Sequence, residues 1–160
     1  MTRERFISET RECQGSLRRF LTSLCSGDAA LADDLAQDAL VRAYVASDRF
    51  TGNFKAWLFR IAYNCFIDNT RRKPLATLEI DSPEAVRFSD TAVREGDALR
   101  REEVQRALAL IPVKERTAIV LHYFEDMPAK EIAVVMRAPI GTVLYWLSAG
   151  RKHLKQHIRL

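Results

Sequence analysis

The chain has 160 residues, 48% hydrophobic and 29% charged, with 6 Gly, 5 Pro and 3 Cys. That suffices for one ordinary core or two small ones, is too little for a large multidomain enzyme, and argues against disorder throughout. The net charge of +4 is unevenly spread: residues 1–73 carry +3, residues 74–97 carry −4 and residues 98–160 carry +5, the pattern of a protein that touches an extended anion at two places. No apolar run approaches the roughly 18 residues of a membrane span, and residues 1–15 lack the apolar stretch of a secretory signal. Cys13, Cys25 and Cys65 are scattered and form no C-x-x-C pair, against a disulfide framework or structural zinc. These features lead us to expect a cytoplasmic chain with buried thiols and no membrane insertion.

The first predicted helix runs from Phe6 to Leu24, with Leu17, Phe20, Leu21 and Leu24 at i, i+3, i+4 and i+7. Ser26-Gly27-Asp28 ends it and starts a second, Ala29 to Ala46, which turns Leu31, Leu35, Ala39 and Tyr44 to one side and Asp33, Asp34, Gln37, Asp38 and Arg42 to another. After a loop at residues 47–53, a third helix carries Phe54, Trp57, Leu58, Ile61, Ala62 and Cys65 on one stripe, and Arg60, Tyr63, Asn64, Ile67 and Arg71 on its other side. Phe54, Trp57 and Ile61 read as core; Tyr63 faces either DNA or a neighbouring helix. Residues 74–97 lose the periodicity and gain acid and proline, as a linker does. From residue 98 the helical pattern returns: Leu99 to Ile111, a break at Pro112, then Thr117, Val120, Leu121 and Phe124.

A short helix (Ala129 to Met136), a tight turn at residues 137–140 and a longer last helix with Val143, Leu147, Leu154 and Ile158 on one stripe make a helix-turn-helix. Ala133 supplies the small residue at the crossing and Ile132, Met136, Val143 and Leu147 the lock. Pro139 and Gly141 punctuate the turn, and Thr142 caps the helix or bonds a phosphate. Opposite the stripe lie Gly141, Tyr145, Ser148, Ala149, Lys152 and Gln156, with Leu144 and Trp146 on its flanks. The same pattern also suits a plain helical hairpin in a bundle. The fold class is all-α: two small helical domains, residues 1–73 and 98–160, joined by the acidic linker 74–97. No glycine-rich phosphate loop or nucleophile–base spacing is found, and His153 and His157 lack a third ligand. No enzyme activity, cofactor or metal is expected.

Asp33-Asp34-Leu35-Ala36-Gln37-Asp38 with Val41 to Tyr44, then Trp57 to Asn64 and Asp68 to Arg72, resembles the first conserved domain of extracytoplasmic-function sigma factors of the sigma-70 family. Ile111 to Arg116, Glu131-Ile132-Ala133 and Gly141-Thr142-Val143 resemble their second. The resemblance covers nearly the whole chain. It implies a subunit that binds bacterial core RNA polymerase, directs it to promoter DNA and is held by an anti-sigma factor. It puts polymerase contacts on Asp33, Asp34, Gln37, Asp38 and Arg42, a set that by itself also reads as a solvated acidic face. It puts capture of an unpaired −10 base on Phe50, Thr51, Asn53, Arg60 and Asn64, with Arg71, Arg72 and Lys73 on phosphates. For the −35 element it points to Arg137, Thr142, Tyr145, Ser148, Arg151, Lys152 and Lys155. There the chain departs from the family: Leu144, Tyr145, Trp146 and Ala149 stand where basic and small polar readers are usual. A sigma-like decoy that binds polymerase or an anti-sigma factor without reading a promoter is the alternative.

Overall fold

Helix α1 (Arg3–Leu24) begins before its apolar stripe because the Thr2 hydroxyl accepts from the Arg5 amide at 3.2 Å, an N-cap. Asp28 does the same for α2 (Ala29–Val45), accepting from the Leu31 amide at 3.1 Å. The side of α2 facing the core is nearly all small: Ala32, Leu35, Ala36, Ala39 and Ala43 are buried, which lets α2 lie close to α1 and α3. Tyr44 was expected on that side and is exposed instead. At 100° per residue it stands about 180° from Leu35, and its ring meets only the edge of Phe6, with centroids 5.4 Å apart.

The computed structural model describes residues 1–72 and 95–158. Helix α3 (Phe54–Arg72) buries more than a stripe: Phe54, Ala56, Leu58, Phe59, Ala62, Tyr63, Cys65 and Phe66 are all enclosed. Phe59 stacks on Phe20 with ring centroids 5.0 Å apart. Tyr63 therefore faces neighbouring helices rather than DNA, and burial pushes its phenol up from the ordinary value.

The C-terminal half is α4 (Glu95–Leu110), α5 (Val113–Ile119), a widened π turn over Val120–Phe124, α6 (Ala129–Met136) and α7 (Ile140–His157). Residues 95–97, expected in the linker, already belong to α4; linker residues 74–94 lie outside the described residues. Helices α6 and α7 meet at 103°, within the range of a helix-turn-helix. Ile132, Met136, Val143 and Leu147 are buried between them, and Ala133 is half-buried against the core.

The turn between α6 and α7 is built differently from expectation. Arg137 takes the left-handed conformation (φ 51°), and the Ala138 amide reaches back to Ala133 O at 3.1 Å, the closure of a Schellman cap. Gly141 lies inside α7 with nothing within 4 Å of where a Cβ would stand. Pro139, not Thr142, occupies the N-cap of α7, and no side chain caps that helix. A close approach also occurs at Gly150, where a Cβ would sit 2.8 Å from Ile119 Cγ1.

No single described helix is long and apolar enough to cross a membrane. Cys13, Cys25 and Cys65 are buried free thiols. Burial pushes Cys25 up to about 12, with Asp28 adding to the rise and Arg116 opposing it. The thiolate is the reactive form, so at pH 8 a disulfide reagent should label Cys25 only as fast as the chain unfolds, and raising the pH to 9 should not rescue the rate; prompt labelling of the folded chain contradicts this. For Gly150, overpacking against a β-branched neighbour costs about 1–3 kcal/mol, whereas an alanine recovers about 1 kcal/mol of helix propensity. Gly150→Val should lower Tm by several degrees and Gly150→Ala by less, read by thermal circular dichroism.

Candidate nucleic-acid interface

A short 3-10 turn, Ser47–Arg49, leads into the loop 50–53 that precedes α3. Gly52 has φ 91°, a conformation only glycine adopts at little cost. Asn53 is the N-cap of α3: its Oδ1 accepts from the Ala56 amide at 3.2 Å. Its Nδ2 group donates to Glu131 Oε1 at 3.1 Å. Phe50 is half-buried and packs on Phe54 and Trp57, with centroids 5.7 and 5.1 Å away, under the Arg5 guanidinium at 5.9 Å.

Arg49, Thr51, Asn53, Trp57 and Arg60 line one wall of a cleft of about 640 Å³; Lys130, Glu131 and Val134 of α6 line the other. Three cations and one carboxylate with an indole face make it suited to a base and its phosphate. Trp57, read as core, is only half-buried and turns part of its ring to this cleft. Its i, i+3, i+4 spacing could not reveal that, because the opposing wall comes from a helix more than seventy residues away. Asn64 is half-buried farther along α3, Arg71 and Arg72 are exposed at its end, and Lys73 lies outside the described residues.

On α7, Tyr145 is 67% exposed and Leu144 53%. Ser148, Lys152 and Lys155 are exposed, Thr142 and Ala149 half-buried, and Arg137 exposed at the turn. The Arg151 guanidinium donates to Tyr123 Oη at 3.0 Å, which fixes its position. Trp146 is half-buried under Lys114, whose Nζ lies 5.6 Å from the ring centroid. His153 is engaged by Glu115, and among the described residues no group of three His, Cys, Asp or Glu is placed to hold a metal.

On α2, Asp33, Asp34, Gln37, Asp38 and Arg42 are all exposed. Arg42 pairs with Asp68 at 3.3 Å and Arg18 with Asp33 at 3.7 Å. Val41, Tyr44 and Val45 are exposed beside them, so this acidic face has apolar ground within it.

Two charged groups were not singled out by spacing. Arg116 is buried and donates to Leu24 O (2.9 Å), Leu108 O (2.8 Å), Ala109 O (3.2 Å) and Ile111 O (3.2 Å). Glu125 is buried against Lys55 and Arg19; burial pushes its carboxyl above the usual carboxylate range while Lys55, then Arg19, pull it back.

Residues 10–74 match the family model "Sigma-70 region 2" and residues 101–154 match "Sigma-70, region 4". The chain is 34% identical over 146 residues to the ECF RNA polymerase sigma factor SigW of Bacillus subtilis, covering 83% of this chain and 78% of that protein. The chain belongs to the extracytoplasmic-function sigma factors. It is likewise 34% identical over 149 residues to the ECF RNA polymerase sigma-E factor of Escherichia coli, covering 84% of this chain and 75% of that one. In three dimensions it is similar to the sigma factor RpoE solved with the anti-sigma factor NepR from Bartonella quintana, with a TM-score of 0.77, 28% identity and 96% of each chain covered. Its elements are all helical among the described residues, and its function is promoter recognition.

Within this sigma factor, Arg116 is the group whose loss should be felt most widely. Truncation takes the cation from four carbonyls, most of them buried, and removing one side of such a buried charged contact costs about 3–5 kcal/mol. Arg116→Ala should lower the urea midpoint sharply, and Arg116→Lys should recover little because an ammonium cannot fork to four acceptors; full recovery by lysine would show that charge alone matters.

Proposed function

We propose that this sigma factor docks on bacterial core RNA polymerase through α2 and reads its promoter with loop 50–53, α3 and α7, acting in the cytoplasm as a non-enzymatic subunit. The cleft at the start of α3 is the observation that carries the reading: an indole, an amide and cations converge where one flipped base and its phosphate would fit. Asp33, Asp34, Gln37, Asp38 and Arg42, with Val41, Tyr44 and Val45 among them, supply the polymerase contact. Thr51, Asn53, Arg60 and Asn64 take the −10 strand, Phe50 backs the pocket with Trp57, and Arg71, Arg72 and Lys73 hold its phosphates. Arg137, Thr142, Ser148, Arg151, Lys152 and Lys155 position the −35 duplex, which phosphate contacts do without specifying sequence. Tyr145 is the base reader. An anti-sigma factor is the expected regulatory partner, as in the similar solved complex with NepR.

Exposed Leu144 and Tyr145 favour a second reading, a chain that binds polymerase or its regulator and has lost −35 readout. Promoter selection from a randomised library by core polymerase, with and without this chain, separates the two. A two-part motif with fixed transcript starts supports the sigma reading; binding without an enriched motif supports the decoy. Restoring cations with Leu144→Arg and Ala149→Arg should tighten promoter binding by about tenfold or more, since a bidentate base contact is worth about 1–3 kcal/mol; no gain in a binding titration would refute a degraded reader.

A further inference from the structure

We infer that Leu144 and Tyr145 read the C5-methyl groups of thymines in the −35 element, between two tethered cations, Lys114 and Arg151; this rests on the −35 role proposed above for α7. Leu144 and Tyr145 are exposed in the first two turns of α7, and Ile140, one turn before Leu144, is exposed as well. That is the end of a recognition helix that meets base edges. At 100° per residue Tyr145 points away from the buried stripe of Val143 and Leu147, and Leu144 lies beside it.

Groove chemistry leaves such a surface one partner. The major groove presents hydrogen-bond donors and acceptors at every base pair and a single apolar group, the thymine methyl. A leucine side chain has neither donor nor acceptor. Set against any other base edge it strips water from a polar group and returns no hydrogen bond. Set against a thymine it covers a methyl, and both partners lose apolar surface to water. Tyr145 adds a flat apolar ring with a hydroxyl at its far end, so it can cover a methyl and still answer one polar neighbour.

The cations that hold a duplex in place come from either side of this apolar centre. Lys114, exposed at the start of α5, stands over Trp146 with Nζ 5.6 Å from the ring centroid. On the helix wheel Trp146 lies about 100° from Tyr145 in one sense, and Arg151, two turns on, about 120° in the other. The Arg151 guanidinium is held by the Tyr123 hydroxyl of the π turn at 3.0 Å. Trp146 stands where the family usually carries a polar or basic reader, and here it serves as the platform for a cation brought in from α5. The surface is therefore apolar in the middle and positive on both shoulders. It complements a groove with methyls on its floor and phosphates along its two edges. Lys114 and Arg151 set how α7 sits, which phosphate contacts do without choosing the sequence. Trp146 and Tyr123 are positioning residues that act through them.

The test takes core polymerase loaded with the full chain and selects promoters from a randomised duplex library. The recovered −35 element should carry fixed thymines. Deoxyuridine, which lacks only the methyl, is then placed at those positions one at a time. Each replacement should weaken binding about fourfold, the worth of one buried methyl, and 5-methylcytosine should bind more tightly than cytosine at the same position. Leu144→Ala and Tyr145→Ala change exposed side chains that the fold does not need, and each should bring the thymine-to-deoxyuridine ratio towards one. Leu144→Arg should lose that ratio whatever it gains in affinity. Lys114→Gln and Tyr123→Phe should weaken thymine and deoxyuridine promoters alike, Lys114→Gln with a salt slope shallower by about one. A −35 motif without fixed thymines, or one indifferent to deoxyuridine, overturns methyl readout. Methyl dependence that survives both alanine variants overturns Leu144 and Tyr145 as the readers, and a Lys114→Gln loss confined to thymine promoters overturns its role as a clamp. Promoters that share a −10 motif and no −35 motif overturn the −35 role of α7 itself.

Discussion

The Arg116 guanidinium is the interaction on which the rest of the arrangement depends. Helices leave their last carbonyls without intrahelical donors, and two helices end close together here: α1 at Leu24 and α4 at Leu110. One buried cation answers both, donating to Leu24 O and to three carbonyls at residues 108–111. A cation at a helix C-terminus is also favoured by the aligned peptide dipoles. The same side chain thus ends α4, orients α5 and ties the first helix of the chain to its C-terminal half.

From that anchor the surfaces divide by chemistry. Apolar side chains of both halves join in one continuous core, from Phe6 and Leu17 to Val143 and Leu147. Around it the charges do separate work. The acid of α2 faces outward on a helix whose buried side is mostly alanine. Lys55 of α3 meets Glu125, and Asn53 at the start of α3 meets Glu131 of α6. Asn53 serves two contacts at once: its oxygen holds the start of α3 and its nitrogen donates to Glu131.

Periodicity served well wherever one face of a helix was buried. The stripe of α1, the lock between α6 and α7, and the solvent-facing acids of α2 followed from 100° per residue. It failed where a helix is covered on more than one side. Helix α3 buries Phe59, Tyr63 and Phe66 beyond its apolar stripe because α1 and α2 lie against one side and α6 against another. Turn chemistry misled in the helix-turn-helix: Gly141 and Thr142 have the composition of a turn and a cap, yet Arg137 takes the left-handed residue and Pro139 the cap.

The amino-acid sequence by itself determined the helical class, the order of the helices and the family resemblance. Those follow from local spacing, which the chain carries wherever it folds. The tertiary structure alone decided that Trp57 looks into a cleft, that Gly150 lies close to Ile119, and that Glu125 and Glu131 face Lys55 and Asn53. Each depends on two segments far apart in sequence meeting at a distance of a few ångströms, and no periodicity within either segment encodes the other's position.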